Sequence, residues 1–132
     1  RQWDGEKMSD SNDRFTETVI GLAIEVHKVL GPGLLESAYE ECLCYELDQA
    51  SIAYQRQLAL PVEYKAVQLE LGYRLDIVAE NKLILELKTV DKILPIHEAQ
   101  LLTYLRLSGI ETGLILNFNS TVLKNGIRRL VL

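Results

Sequence analysis

Arg74-Leu75-Asp76-Ile77-Val78-Ala79-Glu80-Asn81-Lys82-Leu83-Ile84-Leu85-Glu86-Leu87-Lys88 is the stretch that decides the fold. Two apolar runs, Tyr73 to Ala79 and Leu83 to Lys88, flank Glu80-Asn81-Lys82 and read as a β-hairpin. Side chains alternate across a strand, so Leu83, Leu85 and Leu87 share one face while Ile84, Glu86 and Lys88 share the other. The turn fixes the register. A two-residue turn would set Asp76 opposite Leu85. A three-residue turn, with Asn81 accepting the left-handed conformation, pairs Ala79 with Leu83 and sets Asp76 across from Glu86 on one face. The spacing predicts the three-residue form or an equivalent bulge.

Carboxylates directly opposite one another repel, so the pair asks for a cation between them. Charged side chains are seldom fully buried unless paired or metal-bound. Two carboxylates aimed at one point can hold Mg²⁺ or Mn²⁺, and a neighbouring lysine can act on a phosphate. The plainer reading is an ion-paired strand edge formed by Asp76, Glu86 and Lys88.

Working outward, Ile52 to Tyr64 reads as extended, interrupted by Pro61, and Val67 to Leu71 as a short alternating strand. Phe15 to Leu30 has helical spacing, with Val19, Leu22, Ala23, Val26, Val29 and Leu30 on one stripe. Gly31-Pro32-Gly33 ends that helix. A second helix runs from about Leu34 to Gln49 on Leu35, Ala38, Tyr39, Cys42, Leu43 and Leu47, with Glu36 and Glu40 one turn apart. A third, Pro95 to Leu107, carries Ile96, Ala99, Leu102 and Leu105. Thr112 to Phe118 is a buried strand, Asn119-Ser120 turns, and Gly126 to Leu132 is extended. Residues 1–13 are polar and aperiodic and read as a disordered tail. Met8 looks like the natural start, Arg1 to Lys7 an expression remnant, and residues 14–132 one domain.

The 132 residues suffice for one core. With 48% hydrophobic and 25% charged residues, the composition is that of an ordinary globular domain. No apolar run approaches the roughly 20 residues that span a bilayer, and no signal peptide is visible, so no membrane partner is expected. Cys42 and Cys44 point to different faces of a helix and are too few for a zinc site, which fits reduced thiols in a cytoplasmic protein. The net charge of −5 argues against broad duplex binding, which needs many phosphate contacts. It does not exclude a local acidic metal site.

The order helix, hairpin elements, helix, strand, with Asp76…Glu86-Leu87-Lys88 on the hairpin, resembles the PD-(D/E)XK nuclease superfamily. Gly33-Leu34-Leu35-Glu36-Ser37-Ala38-Tyr39 is similar to the signature of the GxxExxY family. So are His27 to Gly33, Pro95 to Leu105 and Leu116 to Ser120. The likeness covers about Phe15 to Leu132. It implies an α/β (α+β) fold, a mixed central β-sheet flanked by helices in a restriction-endonuclease-like αβββαβ core. It also implies a Mg²⁺- or Mn²⁺-dependent nuclease acting on DNA or RNA. The metal would be held by Asp76, Glu86, the Leu87 carbonyl and Glu36. Lys88 would orient or activate the attacking water, and Gln100 would position water or phosphate. Leu75 stands where the superfamily usually has proline, a position that supplies no ligand.

Other residues have plainer readings. His27 and His97 lie in amphipathic helices and read as packing or capping groups. Tyr39 and Tyr104 read as packed rings with a polar tip. Lys124, Arg128 and Arg129 read as solvated surface. The contrasting functional class is a catalytically silent nuclease-fold module, for binding or assembly with a protein partner. The edge near Ile52 to Leu60 offers a route to a homodimer.

Overall fold

The computed structural model describes residues 3–132, with side chains from residue 12 onward. Helices α1 (Trp3–Leu30), α2 (Glu36–Gln49) and α3 (Pro95–Ser108) surround strands β1 (Tyr54–Ala59), β4 (Arg74–Ala79), β5 (Leu83–Lys88), β6 (Thr112–Asn117) and β7 (Ile127–Val131). These five strands form one sheet in the order β1-β4-β5-β6-β7. Only β5 and β6 run parallel, joined through α3; the other pairs are antiparallel. Strands β2 (Val62–Tyr64) and β3 (Val67–Leu69) make a separate hairpin.

Both faces of the sheet are covered, which is why β6 is buried at every position. On one face Val19, Ala23 and Val26 of α1 and Tyr39, Leu43 and Leu47 of α2 pack against Leu83, Leu85, Leu87, Leu114 and Leu116. On the other, Leu101, Tyr104 and Leu105 of α3 pack against Val78, Ile84 and Ile115. Each fully buried aliphatic side chain is worth about 1.5–3 kcal/mol, so these two layers dominate stability. The mixed sheet flanked by helices is the architecture expected from the sequence.

Several expectations are corrected. Helix α1 runs from Trp3, ahead of the Phe15 start expected from the apolar spacing. Extending an already nucleated helix adds a bond for each residue fixed and needs no apolar face. Val29 is 72% exposed and Leu35 77%, because both flank the Gly31–Gly33 reversal at the surface. In α3 the inward face is Leu101, Tyr104 and Leu105, and Ile96 is 67% exposed. Helix and strand periods cannot tell which of several apolar rows faces a sheet; packing decides it. Leu123–Gly126 forms a short 3-10 turn that the sequence did not signal. Arg129 pairs with Asp13, and Arg128 lies 3.6 Å from Glu98.

Local chemistry explains the ends. Gly31 (φ 69°) closes α1, its N–H donating to His27 C=O at 2.8 Å. The Tyr39 hydroxyl donates to Gly31 C=O at 2.6 Å and accepts Leu34 N–H at 3.1 Å, while its ring stacks on Phe118 at 4.5 Å. Pro95 opens α3, and His97 Nδ1 accepts the Leu94 N–H at 2.9 Å. His27 Nε2 lies 2.7 Å from Ser120 C=O. Both histidines thus have the packing and capping roles expected of them.

Candidate metal centre

The hairpin closes as the turn chemistry predicts. Ala79 pairs with Leu83 and Ile77 with Leu85, and both Glu80 (φ 53°) and Asn81 (φ 56°) are left-handed. Continuing that register places Asp76 opposite Glu86. Regular pairing stops there, and the carboxylates take over the hydrogen bonds. Leu87 N–H donates to Asp76 Oδ2 at 2.9 Å, and Asp76 N–H donates to Glu86 Oε2 at 3.1 Å. The sequence called for a cation to relieve the facing charges; the fold also supplies two backbone donors.

Lys88 C=O accepts Phe118 N–H at 2.9 Å, so even-numbered residues of β5 turn their peptide groups to β6. Odd-numbered Leu87 therefore turns toward β4: its N–H reaches Asp76 Oδ2, and strand alternation sends its C=O to the same side. Asn117, opposite Lys88 in register, fixes the chain beyond it: Oδ1 accepts Val90 N–H at 3.1 Å and Nδ2 donates to Val90 C=O at 2.8 Å.

Glu86 is only 6% exposed. Burial, then the charge of Asp76, pushes its carboxyl up to about 8, against the pull of the Asp76 N–H and Lys88. Burial likewise raises Asp76, opposed first by the Leu87 N–H and then by Lys88, while Glu40 and Glu36 add to the rise. Glu36 is exposed at the first position of α2, close enough for its charge to act on both carboxyls. Among the described residues, no group of three or more His, Cys, Asp or Glu is placed to hold a metal ion. Glu36 is therefore not gathered into a three-carboxylate cluster with the pair. From α3, Tyr104 is raised by burial and then by Glu86, so this helix overlooks the site. Gln100 is exposed one turn earlier and lines a groove of about 430 Å³ with Tyr73, Ile96, Thr103 and Tyr104.

The donor set suits a hard divalent cation. Buried Glu86 and half-buried Asp76 each spend one lone pair on a backbone N–H and keep others free. Burial makes two negative charges costly together, and a cation would offset that cost.

The sequence did not signal what stands beside Asp76. Gln57 lies opposite it, between the pairs Arg56↔Ile77 and Leu58↔Leu75, and is left-handed (φ 49°) in mid-strand. Buried Glu40 holds this segment: Oε1 accepts Gln57 Nε2 at 2.9 Å, and Oε2 accepts Arg56 Nε and Nη2 at 3.2 and 3.0 Å. The only available signal was Glu40 itself, on the row that carries Glu36.

A family model of the PD-(D/E)XK nuclease superfamily matches residues 13–130. No curated protein and no solved structure matches the chain. A match over that span, on a mixed sheet whose hairpin brings Asp76 and Glu86 together ahead of Lys88, identifies this chain as a member of the PD-(D/E)XK nuclease superfamily.

Proposed function

We propose that this protein hydrolyses phosphodiester bonds of DNA or RNA with Mg²⁺ or Mn²⁺, and that within the superfamily it is a GxxExxY protein. The observation that carries the reading is the crosswise clamp of Asp76 and Glu86 on adjacent strands, with Lys88 two residues on. Asp76, Glu86 and the Leu87 carbonyl would hold the ion, with Glu36 completing the acidic shell directly or through water. A bound divalent ion would acidify a water and polarise the phosphate. Lys88 orients the attacking water and offsets negative charge that builds on the phosphate. Gln100, on the overlooking helix, hydrogen-bonds water or a phosphate oxygen.

The alternative is a catalytically silent module that works with a protein partner. The net charge of −5 favours it, since few phosphates could be neutralised by this chain alone. Strand β1 is an edge of the sheet, as a homodimer through Ile52 to Leu60 would need. Left-handed Gln57 interrupts that edge and weighs against strand addition there.

Calorimetric titration of Mg²⁺ and Mn²⁺ into wild type and Asp76→Ala tests the metal reading. Saturable binding lost in the variant supports it, and cleavage assays on single- and double-stranded DNA and RNA then define the substrate. No binding to wild type leaves the silent module in front.

A further inference from the structure

The peptide alternation of β4 reverses along its length. Near the hairpin turn, Glu80 N–H donates to Ala53 C=O at 2.9 Å, so even-numbered residues face β1. At the far end, Leu60 N–H donates to Tyr73 C=O at 2.9 Å, so odd-numbered residues do. Side chains record the same reversal. On β1, Tyr54 packs in the layer of α1 and α2, yet Leu58, of the same parity, packs in the layer of α3. On β4, Ile77 and Leu75 divide in the same way. A regular strand cannot do this, because its side-chain period is two.

The reversal falls at Gln57 and Asp76. In an unbroken ladder these two would exchange both backbone hydrogen bonds. Instead the Gln57 carbonyl accepts Arg74 Nη1 at 3.2 Å, and the Asp76 N–H goes to Glu86 Oε2. The left-handed backbone of Gln57 makes the turn-over, and its amide is tied to buried Glu40 at 2.9 Å. A residue with a Cβ resists that conformation, and such strain persists only where surrounding structure holds it.

We infer that Gln57 is a positioning residue for the candidate metal centre: its left-handed backbone, tied to Glu40, releases the Asp76 N–H to hold Glu86 in place as a cation ligand. The inference rests on the metal reading for the cation, but the clamp itself belongs to the metal-free protein. Gln57 is exposed, so its replacement removes no core packing.

Three variants of the full chain separate positioning from bulk stability. Glycine accepts the left-handed region, alanine resists it, and β-branched isoleucine resists it most. Gln57→Ile is expected to weaken Mg²⁺ or Mn²⁺ binding by about tenfold or more, the usual cost of losing a group that orients a ligand. Gln57→Ala should fall between, and Gln57→Gly should stay within about threefold of wild type, since it keeps the backbone and loses only the anchor. The second readout is the Asp76 amide proton resonance of metal-free protein. Glu86→Gln should shift it in the wild-type and Gln57→Gly backgrounds and leave it unmoved in Gln57→Ile. Should Gln57→Ile not fold, Gln57→Ala against Gln57→Gly decides by the same two measurements. Equal affinities and equal amide shifts across the folded variants would overturn the inference. If wild type binds no cation, the metal reading fails, and the amide resonance still decides whether Gln57 sets the clamp.

Discussion

The Asp76 N–H donates to the Glu86 carboxylate at 3.1 Å, while Asp76's own carboxylate accepts the N–H of Leu87, the residue after Glu86, at 2.9 Å. Each acid is thus held by the main chain of the opposite strand. Both carboxylates are positioned before any cation arrives, which lowers the ordering cost of binding one.

Asn and Ala at position 76 should therefore behave differently. Asp76→Asn keeps an acceptor for Leu87 N–H and removes a charge facing Glu86. Asp76→Ala leaves that N–H without its partner, costing about 1 kcal/mol or more relative to Asn. Urea unfolding at neutral pH in chelator should rank Asn above Ala. Equal midpoints would mean that the Leu87 bond contributes nothing.

Stability of the metal-free protein should fall as pH rises. The Glu86 carboxyl sits at about 8 when folded, against an ordinary 4.5, through burial first and Asp76 second. The folded state therefore holds this proton more tightly than the unfolded one. Its contribution is complete below 4.5 and is lost progressively as pH climbs through about 8, a loss on the order of a few kcal/mol. Urea midpoints in chelator at about pH 5 and about pH 8.5 measure it, and Glu86→Gln should flatten the difference. An unchanged slope in that variant would assign the pH effect elsewhere.

Tyr39→Phe should destabilise the protein by about 1–2 kcal/mol. The ring would still stack on Phe118, but Gly31 C=O and Leu34 N–H would lose their shared partner. These groups fix the reversal that delivers Glu36 to the start of α2. Denaturant unfolding reads the cost, and a variant as stable as wild type would show that water replaces the hydroxyl fully.

Cys44 should resist alkylation in the native state. Burial, ahead of the opposing charge of Arg56, pushes its thiol up to about 11, and the thiolate is the reactive form. Iodoacetamide at about pH 8 should leave Cys44 unmodified until urea is added, as peptide mass spectrometry would show. Native labelling as fast as unfolded labelling would contradict this.

Several residues could be read before the fold was known. The hairpin register was legible because it depends on three consecutive residues, one of which, Asn81, tolerates the left-handed region. That register in turn set Asp76 across from Glu86. The Gly31–Gly33 stop and Pro95 at the start of α3 are likewise local effects on backbone conformation. In α3 the expected row, Ile96, Ala99, Leu102 and Leu105, shares only Leu105 with the inward row Leu101, Tyr104 and Leu105, because both rows satisfy a helical period.

The sequence by itself determined the order of helices and strands, the turn that closes the hairpin, and the acids that face one another across it. Periodicity and turn chemistry act between neighbours and need no other part of the chain. Only the tertiary structure decided how those acids are held. The reversal at Gln57 needs β1 beside β4, and its anchor needs Glu40 from α2 beneath them. Residues distant in the chain meet there only after the helices have packed on the sheet, so no spacing along the sequence could have announced their hydrogen bonds.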